Sequence, residues 1–311
     1  MVTHLIAPAA LAVAALVFAA APAAQTLNGF DLRGALIDPT EIQRGGPPKD
    51  GIPAIDRPKF VAPGEARMKW GERILGVALN GEAKAYPVRI LNWHEVVNDS
   101  VGGMPVAVTY CPLCGSGVTF SRVVDDKQRS FGVSGLLYNN DVLLYDRESN
   151  SLWSQILGKA VTGPSKGVKL EVVPTTHTSW EDWIARHPDT LVLSEDTGHA
   201  RDYSRDPYAG YDANPVIPFP VANSSSRFDN KDVVLGLEVD GKYKAYPFTE
   251  LAKTEGLIVD TVGDREIRVA YDAKHRTARV LDAAGKELPS LITYWFAWYA
   301  FYPQGEVFYA K

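Results

Sequence analysis

The stretch ILGVALNGEAKAYP, residues 74–87, decides the fold because it contains the full pattern of a β-hairpin. An apolar run leads into Asn80-Gly81, and a second strand-like run ends at Pro87. Asn-Gly supplies the positive φ angles that a two-residue type I′ turn requires. Proline has no N–H to donate, so strand pairing is expected to stop at Pro87. The pattern therefore predicts a chain built largely from antiparallel hairpins.

The same pattern recurs 160 residues later as VLGLEVDGKYKAYP, residues 234–247, with the tetrapeptide KAYP identical in both copies. A weaker similarity follows each hairpin and aligns Asp272 and His275 with Cys111 and Cys114. Two interpretations stay open. Either a module was duplicated, or two hairpin-rich segments look alike because turn residues are chemically restricted. Under the first interpretation, the cysteine chemistry belongs to the first copy alone.

From these patterns we predict an α+β fold, mainly antiparallel β, with two related β modules packed together and an inserted helix-containing segment. The clearest helix of the insert runs from Ser179 to His187, with Ser179 as its N-cap and Asp182 at the capping-box position. The predicted divisions are a signal peptide (1–23), an N-terminal surface segment (24–70), a first β module with its insert (71–225) and a second β module (226–311).

The N-terminus indicates export from the cytoplasm. Residues 5–24 form an uncharged apolar run that ends in small residues, and Ala21-Pro22-Ala23 fits a cleavage site. An uncleaved N-terminal membrane anchor is the alternative, because the run is close to the minimum length of a membrane span. Either interpretation places the rest of the chain in the periplasm or outside the cell.

Charge and motif content exclude some function classes and leave others open. The net charge of −5 and the lack of a Lys/Arg cluster argue against nucleic acid as a partner. The sequence contains no nucleophile elbow, no Gly-rich phosphate loop and no spaced carboxylate pair that would indicate an enzyme class. No catalytic residue is therefore assigned, and no oligomeric state is indicated.

Two cysteines, Cys111 and Cys114, are the only thiols of the chain, and they lie in the run YCPLCG between two strand-like segments. Thiols at this spacing can form a disulfide, exchange with other thiols or hold a soft metal ion. A thioredoxin-like pair sits at a helix N-terminus, which is not the pattern here. The local sequence resembles instead the Cys-Pro-x-Cys-Gly knuckle of rubredoxins and zinc ribbons. We therefore predict an exported metal-binding protein in which copper or zinc is the cofactor.

A closed tetrahedral zinc site needs two more ligands, which histidine or carboxylate must supply. His94 is the preferred third ligand because it lies in the same module, and His177 and His199 are the next candidates. Two alternatives remain. The first is a periplasmic thiol–disulfide redox protein, which would exchange with a redox partner. A metal-delivery partner is the corresponding possibility for the metal-binding protein. The second is a non-enzymatic binding module in which a Cys111–Cys114 disulfide tightens the turn.

Several longer runs carry a resemblance to a known family. The runs LNWHE (91–95), TYCPLCGS (109–116) and FGVSGLLYNND (131–141), with others up to WFAWY (295–299), resemble the domain-of-unknown-function family DUF3179. The resemblance extends from about residue 70 to the end of the chain. It implies a secreted or anchored protein of bacteria or archaea and supplies no established activity.

The same runs contain two groups of candidate residues for binding a small molecule. One group follows the Asn-Asn turn, and its alternative role is a buried ion pair with a core tryptophan. The other group lies in a Gly- and Pro-rich segment, and its alternative role is a surface loop that satisfies its own polar groups. The candidates are Asp146, Arg147, Trp153 and Gln155 in the first group, and Asp196, His199, Arg201 and Tyr208 in the second.

Overall fold

A computed structural model of the chain describes residues 1–2 and 26–310. The protein is mostly β, with 40% of residues in strands and 10% in helices. Five small sheets are arranged as a five-bladed β-propeller. The predicted α+β fold of two β modules with an inserted helical segment is therefore wrong. The helices are short and distributed along the chain, and the predicted insert contains most of a separate sheet.

The two hairpins predicted from the sequence are confirmed. Asn80 and Gly81 have φ angles of 48° and 85°, and Asp240 and Gly241 have 49° and 77°. Both central residues of each turn thus have the left-handed backbone that a type I′ turn requires. Pro87 is the last residue of its strand, as expected, and a short helix begins directly after it.

Each hairpin forms the middle of a larger sheet, and the two sheets share one strand order. The first strand of the hairpin pairs with an antiparallel neighbour, and the second strand pairs with a parallel one. Sheet I has the order Thr176–Ser179, Arg73–Leu79, Glu82–Pro87, Leu191–Leu193 and Phe60–Val61. Sheet IV has the order Leu291–Tyr294, Val233–Val239, Lys242–Pro247 and Glu306–Val307.

Two further sheets are antiparallel and follow the hairpins in the chain. Sheet II carries the cysteine turn between its two middle strands. Sheet II has the order Val172–Val173, Ser116–Ser121, Met104–Cys111 and Val96–Val101. Sheet V has the order Glu287–Leu288, Thr277–Leu281, Arg265–Asp272 and Leu257–Val262.

The segment between the two hairpins supplies four of the five strands of sheet III. Sheet III has the order Lys159–Ala160, Leu152–Ser154, Asp141–Asp146, Phe131–Tyr138 and Ile42–Arg44. Two small hairpins complete the strands, Thr26–Leu27 with Phe30–Asp31 and Val123–Val124 with Lys127–Gln128.

Among residues 26–310, helices are few and short. The predicted helix after Ser179 is present as Trp180–Arg186, and the Ser179 side chain accepts a hydrogen bond from the Asp182 N–H. None of the described helices combines the length and the apolar character needed to cross a bilayer. The helices in the described part of the chain are α1 (Val88–His94), α2 (Trp180–Arg186), α3 (Phe248–Leu251), α4 (Trp295–Phe301) and a 3-10 turn at Pro39–Glu41.

Equivalent glycines let two helices lie directly on the hairpins. A Cβ atom added to Gly76 would overlap the Trp183 ring of α2, and one added to Gly236 would overlap the Trp298 ring of α4. Both tryptophans are buried, so glycine permits close packing of helix on sheet at both positions. The predicted signal peptide lies, apart from its first two residues, outside the described residues.

Candidate metal centre

The two cysteines occupy the tip of the central hairpin of sheet II. Cys111 ends its strand and pairs with Ser116 across the turn. Within the turn, the Cys114 N–H donates to the Cys111 carbonyl at 3.2 Å, and Gly115 has a φ angle of 61°. Both side chains are buried free thiols. The predicted strand–turn–strand setting of the pair is thus present, and neither thiol lies at a helix N-terminus.

Neighbouring elements fix the cysteine turn from two sides. The Cys114 carbonyl accepts hydrogen bonds from the Tyr294 N–H and the Thr293 hydroxyl, both at 2.9 Å. On the other side, the Tyr211 hydroxyl donates to the Leu113 carbonyl at 2.9 Å. These bonds connect the turn to sheet IV and to the long loop before it. The positions of the sulfur atoms are therefore set by tertiary contacts as well as by the turn.

A second hairpin tip, from sheet III, meets the cysteine turn. Its turn residues Asn139 and Asn140 have φ angles of 53° and 63°, and Asp141 is the first residue of the returning strand. The Cys114 thiol donates to the Asn140 carbonyl at 3.3 Å. Asn140 also accepts from the Phe219 N–H through its side chain, which holds the long loop over the site.

Cys111, Cys114 and Asp141 together form a buried cluster with the geometry of a metal site. One ligand atom of each, two sulfurs and a carboxylate oxygen, lies within 4.8 Å of the others. Asp141 Oδ2 accepts from the Ile156 N–H at 3.1 Å, which orients the carboxyl group. Asp141 Oδ1 is buried and has no hydrogen-bond partner among the described residues. A buried oxygen without a partner destabilises the folded state unless an ion or a water molecule binds to it.

The cluster lies in an environment that disfavours uncompensated negative charge. Burial, followed by the neighbouring Cys111, raises the pKa of the Cys114 thiol well above its usual value. Burial also raises the pKa of Asp141 to about 7. Without a cation, the Cys114 thiol therefore stays in its neutral form at neutral pH, and the Asp141 carboxyl group is only about half ionised.

Glu95 adds a second buried carboxyl group to this region. Burial, with a contribution from Asp141, raises the pKa of Glu95 to about 8. Its φ angle of 58° is left-handed, which is uncommon for a residue other than glycine, and its N–H closes helix α1 on the Leu91 carbonyl at 2.7 Å. Its carbonyl accepts from the Tyr110 N–H, which places Glu95 beside the strand that ends at Cys111.

His94, the ligand preferred from the sequence, is not part of the cluster. Its Nδ1 lies 2.7 Å from the Pro53 carbonyl, and its Nε2 lies 2.6 Å from the Tyr203 hydroxyl. Both ring nitrogens therefore have partners in the protein. Burial lowers the pKa of His94 to about 4, so the ring is neutral at physiological pH. The position of the third ligand atom near the sulfurs is taken by Asp141.

The other two candidate histidines also lie apart from this cluster. His199 packs its ring 5.3 Å from the His94 ring. His177 pairs in sheet I opposite Leu75, and its ring lies 6.0 Å from that of Tyr110.

Three of the candidates in the first predicted binding group make structural contacts. Asp146 is fully buried and accepts from the Trp153 ring N–H at 2.9 Å, while Arg147 pairs with Asp56 at 2.7 Å on the surface. Gln155 lies closer to the candidate site. It accepts from the Ser116 hydroxyl at 2.6 Å and donates to Thr109 at 2.9 Å, so it ties together the strands on either side of the cysteine turn.

The second predicted group is spread along the loop. Asp196 forms an exposed ion pair with Lys59 at 2.6 Å, and Arg201 lies 5.9 Å over the Trp93 ring. Tyr208 lines a cavity beside the cysteine turn. The loop therefore reaches the candidate site through its tyrosines.

Sequence reasoning missed both buried carboxyl groups. Asp141 lies 30 residues from Cys111, and Glu95 follows the histidine that was preferred as a ligand. A usable signal exists for Asp141, because the Asn139-Asn140 turn fixes it at the start of a strand next to a hairpin tip. Which hairpin tip it meets depends on tertiary structure.

A family model described as "Protein of unknown function (DUF3179)" matches residues 49–305. The search of curated proteins and the search of solved structures gave no significant match.

Proposed function

We propose that this chain, which belongs to the DUF3179 family of proteins of unknown function, is an exported metal-binding protein that holds zinc(II) or copper(I). The ion would bind the sulfurs of Cys111 and Cys114 and a carboxylate oxygen of Asp141. The observation that carries the proposal is the approach of these three ligand atoms to within 4.8 Å of one another in a buried site. Metal–ligand bonds of about 2.0–2.3 Å are compatible with that spacing.

The unpartnered Asp141 Oδ1 supports the same proposal. The other oxygen is held by the Ile156 N–H, so the carboxyl group is already oriented without a metal. Hydrogen bonds from the protein to a ligand side chain commonly fix the orientation of that ligand in metal sites. A cation would supply the missing partner and would stabilise the deprotonated thiols.

The mixed ligand set favours zinc(II) over copper(I). Thiolates suit both ions, whereas a carboxylate oxygen is a harder ligand that zinc accepts readily. Glu95 is a candidate for a fourth ligand, since this buried residue lies beside the strand that ends at Cys111, although its carboxyl group is outside the 4.8 Å cluster. A water molecule is the other candidate for that position.

A thiol-exchange function is less favoured by the same geometry. The Cys114 thiol is fully buried, and burial raises its pKa well above the usual value. Reactive cysteines are partly exposed and have lowered pKa values. Bound metal would also keep the pair reduced outside the cytoplasm, where free thiols tend to oxidise.

Metal content tests the proposal. The mature protein is purified without a metal-affinity step, and bound metals are measured by mass spectrometry before and after dialysis against a chelator. We expect about one zinc or copper ion per chain in the wild type and a loss of at least tenfold in affinity for the double variant C111S/C114S. The variant Asp196→Asn changes an exposed carboxylate away from the cysteine turn, so it is the control and should retain the metal. Wild-type protein that neither contains nor binds either ion with submicromolar affinity would refute the proposal.

A further inference from the structure

A second site lies beside the cysteine turn, in a cavity of about 230 Å³. It is formed where sheets I and IV, the turn and the long loop meet, and Pro112 and Gly115 of the turn contribute to its wall. None of the proposed metal ligands lines this cavity. The side chains that matter most here are Arg73, Tyr110, His177, Tyr208, Arg276 and Tyr294.

Arg73 places a fixed positive charge in the cavity wall. Its guanidinium donates to the carbonyls of His275, His177 and Arg276 at 2.6, 3.0 and 3.1 Å. No carboxylate of the described residues lies within ion-pair distance of it. Burial, followed by the proximity of Arg276, lowers its pKa to about 10, so it stays charged at neutral pH. A guanidinium has five N–H groups, so three carbonyl partners leave two available to a ligand.

Arg276 brings a second guanidinium to the mouth of the same cavity. It is the last residue of the turn between the sheet V strands Arg265–Asp272 and Thr277–Leu281, and its side chain forms no hydrogen bond or ion pair with the described residues. Two guanidinium groups that face one cavity repel each other. An anion between them would relieve that repulsion and would accept the free N–H groups.

His177 provides an independent sign of a missing partner. Its side chain is about nine-tenths buried, and Nδ1 has no hydrogen-bond partner among the described residues. Burial, followed by Arg73, lowers its pKa well below the usual value, so the ring is neutral and can donate one N–H. Buried polar atoms without partners are uncommon in folded proteins, and a bound ligand or water molecule would supply the missing partner.

Two acids on the loop side of the cavity, Asp206 and Asp212, do not neutralise the arginines. Asp206 accepts from the Asn92 amide and from the Tyr208 N–H, both at 2.9 Å, and so anchors the loop. Asp212 accepts from the Ala213 N–H at 3.0 Å. Neither lies within ion-pair distance of Arg73 or Arg276. The cavity is therefore polarised, with its basic side on sheets I and V.

We propose that this cavity binds a small organic carboxylate, with its carboxylate group between Arg73 and Arg276 and its body against the tyrosines. Charge-assisted hydrogen bonds from two separate guanidinium groups suit the two acceptor oxygens of a carboxylate. Tyr110, Tyr208 and Tyr294 offer ring surface and hydroxyl groups that form no side-chain hydrogen bonds with the described residues. Aromatic walls favour an organic body over a bare inorganic anion.

Binding of benzoate, measured by calorimetry or ligand-observed NMR, tests this proposal. Benzamide is the neutral isostere, and inorganic phosphate is the inorganic anion for comparison. We expect saturable benzoate binding that is at least about tenfold stronger than benzamide binding. Arg276→Gln removes an exposed side chain without internal bonds and should weaken benzoate binding about tenfold. Arg265→Gln, at an exposed position outside the cavity, is the matched control.

Further measurements test whether the ligand binds in this cavity or at the metal. His177→Phe keeps an aromatic ring, although a larger one, and removes both ring nitrogens, so it should also weaken binding. The measurement is repeated after chelator treatment, and unchanged affinity shows that the carboxylate does not bind through a metal. Equal binding of benzoate and benzamide, preference for phosphate, loss of binding with the metal, or no saturable binding at millimolar concentration would each overturn the proposal.

Discussion

A carboxylate oxygen of Asp141 lies within 4.8 Å of the Cys114 sulfur, although the two residues belong to hairpins of different sheets. The Cys114 thiol also donates to the carbonyl of Asn140, the residue before Asp141. Both hairpin tips are held by further hydrogen bonds, to Tyr294 on one side and to Phe219 on the other. The proposed metal centre therefore depends on how two sheets meet.

Asp141→Asn should weaken zinc binding by at least about tenfold. The amide oxygen can still accept from the Ile156 N–H, while an NH₂ group replaces the unpartnered Oδ1 and cannot ligate the metal. Competition with a chromophoric chelator measures the affinity, and circular dichroism checks the fold. Unchanged affinity in a folded variant would show that Asp141 is not a ligand.

His94→Asn should leave the zinc affinity within about twofold of the wild type. Both ring nitrogens already contact Pro53 and Tyr203, so the ring is not available to a metal at the cysteine turn. The same chelator competition measures this variant beside Asp141→Asn. A loss of tenfold or more in a protein of unchanged fold would restore His94 as a ligand.

Lowering the pH should reduce stability through His94. Its pKa is about 4 in the folded protein and about 6.5 when unfolded, so protonation favours the unfolded chain. The stabilising contribution is complete above pH 6.5, and it is lost as the pH falls from 6.5 towards 4. It amounts to at most about 3 kcal/mol. His177 acts in the same direction, whereas the raised pKa values of Asp141 and Glu95 act in the opposite one. The measured quantity is therefore the difference between wild type and His94→Asn.

Urea unfolding at several pH values between 4 and 7 gives that difference, with chelator present throughout. As the pH falls from 7 to 4, the free energy of unfolding of the wild type should decrease relative to that of the variant. Parallel curves, or an NMR titration of the His94 ring near pH 6.5, would contradict the buried neutral state.

Gly236→Ala should destabilise the fold by about 1–3 kcal/mol, and Gly76→Ala by a similar amount. The added methyl group would overlap the ring of Trp298 or of Trp183 and would force helix and sheet apart. Gly71→Ala is the control, because an added Cβ there meets nothing within 4 Å. Urea unfolding measures all three. Equal stability of Gly236→Ala and Gly71→Ala would show that the helix does not rest on the hairpin as described.

Local sequence patterns predicted the local structure of this chain well. The Asn80-Gly81 and Asp240-Gly241 turns adopt the left-handed angles that their residue types favour, and Ser179 caps its helix. The cysteine turn lies between two strands as its flanking residues indicated. In each case the conformational preference depends on residues that are close in sequence, so the local structure can be predicted without knowledge of tertiary contacts.

Local sequence patterns could not predict how the sheets assemble, nor the proposed third ligand, Asp141. Sheet III places Ile42–Arg44 beside Phe131–Tyr138, a pairing between distant segments that carries no local signal. His94 was preferred because it is near Cys111 in sequence, yet the left-handed turn at Glu95 ends helix α1 with the His94 ring against Pro53 and Tyr203. Asp141 reaches the sulfurs only because two hairpin tips meet.

X-ray absorption at the zinc edge of the loaded wild-type protein tests the central claim most directly. The account predicts two sulfur scatterers at about 2.3 Å and oxygen scatterers at about 2.0–2.2 Å, without the multiple scattering of an imidazole ring. A spectrum with imidazole scattering, or with fewer than two sulfurs, would contradict a metal centre formed by Cys111, Cys114 and Asp141.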